Sequence, residues 1–204
     1  MTILITLVFA VVWIYVLTIF NRKNMNAFLF MTGTSGMFLI TFVLFKDMVT
    51  VLCAKCLEYL LLGLSHIFRF YTVYPDYNIV FVNSDSSAIS LFIDYECSGA
   101  IELLVLISVV VFFPKLSVKR RITYAIIGFI YTMLANAVRI LTITYAINQM
   151  GSNAYYIAHS IVGRIVFYVL TIFLYFYLFT WQQIRTQITG RFAYGDNKKG
   201  AKAG

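Results

Sequence analysis

The feature that most constrains the fold of this chain is a series of five long apolar runs separated by short charged stretches. The runs occupy residues 3–20, 27–45, 98–113, 122–145 and 157–181. A helix needs about 20 mostly apolar residues to cross the hydrocarbon core of a bilayer, and a helix satisfies its backbone polar groups internally. The runs therefore predict an all-α polytopic membrane protein with about five transmembrane helices.

The composition excludes a soluble fold. Of the 204 residues, 61% are hydrophobic and 12% are charged, whereas soluble domains average about 45–50% and about 25%. So few charged residues cannot cover the surface of a soluble fold of this size. An ordinary soluble enzyme, a disulfide-rich secreted domain and a disordered chain are excluded. The first run has no basic segment before it, so we interpret it as a retained span and not as a cleaved signal peptide.

The segment 48–69 is apolar but carries charges. Its polar side chains cluster on one side of a helical wheel: Lys55, Glu58, Tyr59, Ser65, His66 and Arg69. Leucines dominate the other side. This pattern predicts an amphipathic helix that lies in the membrane interface. If the segment crossed the membrane instead, the protein would have six spans.

The distribution of basic residues favours five spans. Lys and Arg are enriched in cytoplasmic loops, and most of the 16 in this chain lie in loops 21–24 and 115–121 and in the C-terminal segment. Five spans put all three stretches inside, with the N-terminus outside and the C-terminus cytoplasmic. The formal charge of +8 is then explained by topology. It does not indicate a nucleic-acid partner, and the protein is expected to be a multi-pass protein of the plasma membrane in contact with the lipid bilayer.

Residues 70–96 lie outside the cytoplasm in this arrangement and have a β-type pattern. Segments 78–82 and 88–95 are rich in β-branched and aromatic residues, and 83–87 has turn residues. The pattern predicts a small extracytoplasmic β-hairpin, with an ordered loop as the alternative. Residues 1–185 are expected to form a single membrane domain, and 186–204 a flexible basic cytoplasmic tail.

Three reactive or charged side chains lie at similar outer depth on three separate predicted spans. Cys97 precedes the third span, Arg139 lies near the outer end of the fourth, and His159 begins the fifth. Taken singly, they could be a packing thiol, a snorkelling anchor and an interfacial histidine. Together they form a nucleophile–base pair with a cation that can stabilise an oxyanion. The combination predicts acyl transfer at the outer membrane surface.

Several neighbouring residues are expected to support this site. Asn136 shares a helix face with Arg139, which suggests a polar cavity. Glu102 and Arg164 lie at matching depth, and we expect them to form a bracing ion pair, with a direct effect of Glu102 on the chemistry as the alternative. Gly99 allows a close backbone approach beside Ser98.

The remaining cysteines form a Cys53–Cys56 CxxC pair, which is either a redox pair or two packing residues. With two His and three scattered Cys, no metal-site spacing is present. No metal and no cofactor are predicted.

The chain resembles the exosortase/archaeosortase family, in particular its small Gram-positive type, at three short boxes. They are Glu96–Gly99, Asn136–Arg139, and His159 with Gly163. The resemblance covers roughly residues 45–180, although this chain has fewer leading spans than typical members. It implies that Cys97 is the nucleophile, Arg139 the oxyanion-stabilising or substrate-positioning group, and His159 the general acid/base.

The resemblance implies an enzyme, a membrane-embedded cysteine protease or transpeptidase. Its expected substrate is a secreted protein with a C-terminal motif, a transmembrane helix and a basic tail, cleaved at the outer membrane face. The acyl group passes to an acceptor, which could be a lipid, a glycan, another amine or water. Two alternatives stay open: a membrane thiol oxidoreductase that uses Cys53 and Cys56, and a non-enzymatic transport or assembly subunit.

Overall fold

The computed structural model describes most of the chain. The described ranges are 2–68, 70–75, 77–84, 87–93, 97–114, 116–151 and 155–180. The chain divides into two compact units, Met1–Phe167 and Tyr168–Gly204. All residues of the candidate site belong to the first unit. The predicted tail 186–204 lies outside the described residues.

The protein is mostly helical. The helices in chain order are α1 (Thr2–Arg22), α2 (Asn26–Ser65), α3 (Ala100–Phe112), α4 (Val118–Met150), α5 (Tyr155–Ile157) and α6 (Gly163–Tyr175), with π-helical segments at Ala158–Val162 and Phe176–Thr180. Four helices of the described chain are long and apolar enough to cross a membrane: α1, α2, α4 and the run Tyr155–Thr180.

The predicted third span is a shorter helix than the other four. α3 has 13 residues, which makes it about 20 Å long at about 1.5 Å per residue. The hydrocarbon core of a bilayer is about 30 Å thick. A crossing at this position therefore requires the segments flanking α3 as well as the helix itself.

The predicted boundary between a second span and a separate interfacial helix is wrong. α2 continues without a break through Lys46 and Asp47 and has 40 residues. Neither residue interrupts a helix, and their side chains approach to 3.8 Å. A helix of this length extends about 60 Å, about twice the thickness of the hydrocarbon core. If α2 crosses a membrane, it also continues well beyond it.

The helical wheel of residues 48–69 places Glu58 on the exposed polar side, and this prediction is wrong. Lys55 and Tyr59 are exposed, but Glu58 is fully buried together with Leu57 and Leu61. The buried side of α2 packs against the sheet and α4. The helical wheel separates two sides correctly, but it cannot show that a second layer covers part of the polar one.

The sheet is an antiparallel meander of β1 (Tyr71–Tyr74), β2 (Ile79–Ser84) and β3 (Ser87–Phe92) in the order β1-β2-β3. β2 and β3 confirm the predicted hairpin, and β1 is a third strand that the sequence pattern did not indicate. Alternate residues on one face of the sheet are buried: Tyr71, Val73, Val80, Val82 and Leu91.

The buried face of the sheet forms one apolar core with α2 and α4. Leu57 and Leu61 of α2 and Ile143 of α4 belong to it. Tyr71 is the polar member of this contact, and its hydroxyl donates to the Leu61 carbonyl oxygen at 2.8 Å. Burial raises the pKa of Tyr71 to about 12, so the phenol stays a neutral donor at physiological pH.

α3 is held closely between α2 and α4. Gly33 of α2 faces the Phe112 ring, and Gly128 of α4 faces Leu106, so a Cβ at either glycine would collide with α3. At the end of α3 the Arg121 guanidinium donates to the carbonyl oxygens of Val111 and Phe113. These bonds satisfy carbonyl groups that a helix end leaves without partners, and they fix the helix that follows Cys97.

Candidate active site

The centre of the site is a contact between Cys97 and His159. The Sγ of Cys97 lies 3.2 Å from the Nε2 of His159, although the two residues are 62 positions apart in sequence. The sequence predicted a similar depth for them, and the structure adds the contact. Cys97 is only 3% exposed, whereas His159 is half-buried. A thiol and an imidazole at this distance can exchange a proton directly.

Cys97 is presented by a tight turn at the start of α3. Gly99 is the N-cap of α3 and has φ +78°, a conformation that glycine adopts without strain. The Nδ2 of Asn136 donates to the Cys97 carbonyl oxygen at 2.6 Å. Ser98 is fully buried, and its Oγ accepts a bond from the Ala100 N–H at 3.3 Å. These bonds fix the backbone that follows the thiol.

Gly99 also lies against α4. A Cβ at this position would lie 3.4 Å from both the Nδ2 of Asn136 and the Cγ2 of Thr132, which is an ordinary van der Waals distance. These distances do not demand the predicted close backbone approach, and the positive φ is what favours glycine at this position.

His159 lies in the π-helical segment Ala158–Val162. Such segments are rare and occur frequently at functional sites. The ring of Tyr155 stacks on the imidazole with the centroids 5.7 Å apart and the planes 10° from parallel. Gly163 faces the Ile143 side chain of α4 so closely that a Cβ would lie 2.6 Å from it. The histidine is thus held by a ring on one side and by close packing of its helix on α4.

Arg139 brings a positive charge to the thiol. Its Nη2 lies 3.9 Å from the Cys97 Sγ, and the residue is 4% exposed. The guanidinium also lies over the Phe167 ring, with Cζ 5.6 Å from the centroid, a cation–π geometry. A cation this close to a sulfur favours the thiolate over the thiol.

The face of α4 that carries Arg139 is the polar wall of the site. Thr132, Asn136 and Arg139 follow one another at helical spacing and are all buried, which confirms that Asn136 and Arg139 share a face. Thr132 was not predicted, although it precedes Asn136 by one turn and the same spacing argument would have found it.

The predicted ion pair between Glu102 and Arg164 is wrong. Arg164 is exposed, whereas the Oε2 of Glu102 is buried and has no hydrogen-bond partner among the described residues. Matching depth fixes the height of a side chain along a span, but it does not fix the direction in which the side chain points.

Two further residues of the site were not predicted from the sequence. Tyr155 precedes His159 by one helical turn, so an i, i+4 pairing argument could have found it. Phe167 follows Gly163 at the same spacing. Its role depends on where the Arg139 guanidinium lies, and no spacing rule gives that position.

The CxxC cysteines lie away from any helix end. Cys53, Cys56 and Cys97 are all free thiols, and Cys53 is fully buried in the interior of α2. Helix N-termini stabilise thiolates, and neither CxxC cysteine has that assistance. Within the described ranges, no three His, Cys, Asp or Glu side chains are grouped so that they could hold a metal ion.

The arrangement combines a thiol in contact with an imidazole, an adjacent guanidinium and a backbone fixed by Asn136. These are the parts that acyl transfer through a thioester requires: a nucleophile, a proton carrier and a group for the developing oxyanion. Comparison with known proteins found no family model, no curated protein and no solved structure that matches the chain.

Proposed function

We propose that the protein is a membrane-embedded cysteine protease or transpeptidase that removes a C-terminal sorting signal from secreted proteins at the outer face of the plasma membrane. The observation that carries the proposal is the contact of 3.2 Å between the Cys97 Sγ and the His159 Nε2, with the Arg139 Nη2 at 3.9 Å from the same sulfur. The resemblance of three short boxes to the exosortase/archaeosortase family supports the same chemistry.

In the first step, the Cys97 sulfur attacks a backbone carbonyl carbon of the substrate. The thiol proton moves to the Nε2 of His159, and the carbonyl oxygen gains the electron pair of the C=O π bond. Arg139 stabilises that oxyanion. When the carbonyl re-forms, the C–N bond breaks, and His159 gives its proton to the leaving amine. The products are a thioester on Cys97 and a released C-terminal segment.

In the second step, an acceptor attacks the thioester. An amine, a lipid or glycan hydroxyl, or water forms a new bond to the carbonyl carbon, and the C–S bond breaks. His159 takes the proton of the acceptor as general base and returns it to the Cys97 sulfur. If the acceptor is an amine or a hydroxyl, the protein is a transpeptidase or transferase. If it is water, the protein is a protease.

The proposed topology gives the substrate its local concentration. Five crossings, by α1, the first part of α2, the α3 region, α4 and the last helix, leave the second part of α2 and the sheet outside and the C-terminus in the cytoplasm. Cys97 then lies near the outer interface. A substrate anchored by its own transmembrane helix is confined to the same depth, so proximity replaces much of the binding energy.

The alternatives have less support. A thiol oxidoreductase would need accessible, activated thiols at Cys53 and Cys56, but Cys53 is fully buried inside a helix. A transport subunit would use buried charges to line a path. Arg139 instead points at a sulfur and an aromatic ring, and Arg164 is exposed.

The proposal is tested by the C-termini of secreted proteins in cells that produce this protein. We expect that deleting it leaves at least one secreted protein with an uncleaved apolar C-terminal segment, which the wild type removes. Mass spectrometry of C-terminal peptides from the membrane and surface fractions measures this. Identical C-termini in the two strains would contradict the proposed activity.

A further inference from the structure

The strand β3 lies at one edge of the sheet and pairs with β2 on one side only. The register of this ladder determines which backbone groups of β3 face outward. The Ile93 N–H donates to the Asn78 carbonyl oxygen at 2.9 Å. In an antiparallel ladder the bonded pairs alternate with non-bonded ones, so Leu91 also bonds to β2, and Ser90 and Phe92 do not. The N–H and C=O groups of Ser90 and Phe92 therefore point to the outer edge, where no strand of the described chain pairs with them.

The outer edge of β3 has none of the usual protection of an edge strand. Exposed edges are commonly blocked by Lys, by Pro or by a bulge. β3 contains neither Lys nor Pro, and its register with β2 runs from Ser84↔Ser87 to Ile79↔Phe92 without a bulge. The helices pack closest to the other two strands, α2 against β1 and α4 against β2. The edge can therefore accept a further strand.

The chain of β3 leads directly to the candidate nucleophile. Ile93 makes the bond to Asn78 just after the end of β3, and Cys97 follows four residues later. Four residues span at most about 14 Å. An extended peptide that adds to the edge therefore needs only a few more residues to bring a backbone carbonyl to the Cys97 sulfur.

We propose that the outer edge of β3 binds the substrate as an added strand, through the extended segment directly before the bond that Cys97 attacks. The inference deepens the proposed function and rests on it for the kind of substrate. Main-chain hydrogen bonds to Ser90 and Phe92 give affinity in this mode of recognition, and alternate side chains of the peptide give specificity.

The proposed topology also gives the direction of the added strand. The sheet lies outside the membrane in that topology, and the transmembrane helix of the substrate follows the cleaved bond. The substrate chain thus runs from the sheet toward the membrane, as the chain does from β3 through Cys97 into α3. The added strand is therefore parallel to β3, and its residues belong to the part of the substrate that stays on the acyl-enzyme.

Photo-cross-linking from the two edges of the sheet tests the proposal. Tyr74, Ile79 and Phe92 form one row across the three strands, and Tyr74 and Phe92 are exposed at opposite edges. In the full-length protein, p-benzoylphenylalanine replaces one or the other, together with Cys97→Ala so that bound substrate stays uncleaved. Cells are irradiated, and the cross-linked peptides are identified by mass spectrometry.

We expect the Phe92 position to cross-link secreted proteins at residues directly before an apolar C-terminal segment. The yield should be about tenfold higher than at Tyr74, because Tyr74 lies two strands farther from that edge, a distance of about 10 Å. A cross-link at this place in the substrate identifies the segment that pairs with β3.

Backbone methylation of the bound segment gives a second measurement that leaves the β3 edge unchanged. Synthetic peptides of the cross-linked segment, each with one N-methyl group, compete with cross-linking at the Phe92 position. Only every second N–H of an added strand faces its neighbour, so methylation at alternate residues should weaken competition about tenfold. Methylation at the residues between them should have little effect. A loss that does not alternate, or an unmethylated peptide that does not compete, contradicts the added strand.

The outcomes separate this proposal from the proposed function. Equal cross-linking at Phe92 and Tyr74, cross-links after the cleaved bond, or cross-links only between two copies of this chain overturn the added strand. The proposed function still holds in these cases if the wild type cleaves the secreted protein. If the Phe92 position cross-links the expected segment but the wild type leaves it uncleaved, the added strand is supported and the proposed function is contradicted.

Discussion

Replacing Cys97 by alanine should abolish processing of the secreted substrate, with a loss of about 10⁴-fold or more. The substitution removes a single sulfur atom and adds no larger group, so the fold should change little. It takes away the atom that forms the thioester, and neither His159 nor Arg139 can replace it. The measurement is the fraction of substrate that keeps its C-terminal span in cells complemented with each variant.

Cys56→Ala is the matched control for this prediction. It removes the same sulfur from a free, half-buried cysteine of α2 and should process substrate at the wild-type rate. Equal amounts of each variant in the membrane fraction show that insertion is retained. Processing by Cys97→Ala at the wild-type rate would exclude the proposed nucleophile. Loss of processing in Cys56→Ala alone would favour the oxidoreductase alternative.

Replacing Arg139 by methionine should reduce processing by about 10²- to 10³-fold, the range found when one oxyanion-stabilising group is removed. Methionine keeps an unbranched stem but removes the charge 3.9 Å from the Cys97 Sγ. Arg139→Lys should recover part of the rate, because an ammonium restores the charge but not the planar geometry over Phe167. Rates are measured with matched amounts of membrane-inserted protein.

A second arginine on α4 provides the comparison. Arg120 is exposed on the same helix, and Arg120→Met should process substrate at nearly the wild-type rate. If Arg139→Met retained full activity, the guanidinium would have no part in the chemistry. If Arg120→Met were as defective as Arg139→Met, the effect would come from lost helix charge in general and not from the site.

The helices of this protein could be predicted from its apolar runs, but the residues at which the helices begin and end could not. A run of about 20 apolar residues is a strong signal, and four long apolar helices are present. A charged pair such as Lys46 and Asp47 suggests an end, yet charge alone does not stop a helix without Pro or Gly. The strand β1 was missed because its four residues are too few for a clear alternating pattern.

The candidate site could be predicted as a set of residues but not as a geometry. Topology brought Cys97, Arg139 and His159 to one depth, and the structure brings them into contact. Which side of a helix is buried is set by tertiary packing, and depth alone could not show that Arg139 is buried while Arg164 is exposed. The π-helical segment at His159 alters the helical spacing locally, and no residue pattern indicated it.

The burial of Glu58 on α2 also shows that the spacing of residues along a helix does not determine which of them are buried. Its spacing places it with polar neighbours, but the sheet and α4 pack on the side that also carries Leu57 and Leu61. A sheet that follows the helix in sequence covers residues that a wheel assigns to water. The polarity of one helix cannot show which layer lies beside it.

Capture of an acyl-enzyme would show directly whether Cys97 is the nucleophile. Membranes with the wild-type protein and a substrate identified from C-terminal peptides are quenched in acid and digested, and the peptide that carries Cys97 is analysed by mass spectrometry. We expect a hydroxylamine-sensitive thioester that joins Cys97 to the new C-terminus of the substrate. Substrate cleavage with no adduct on Cys97, or with the adduct on another residue, would contradict it.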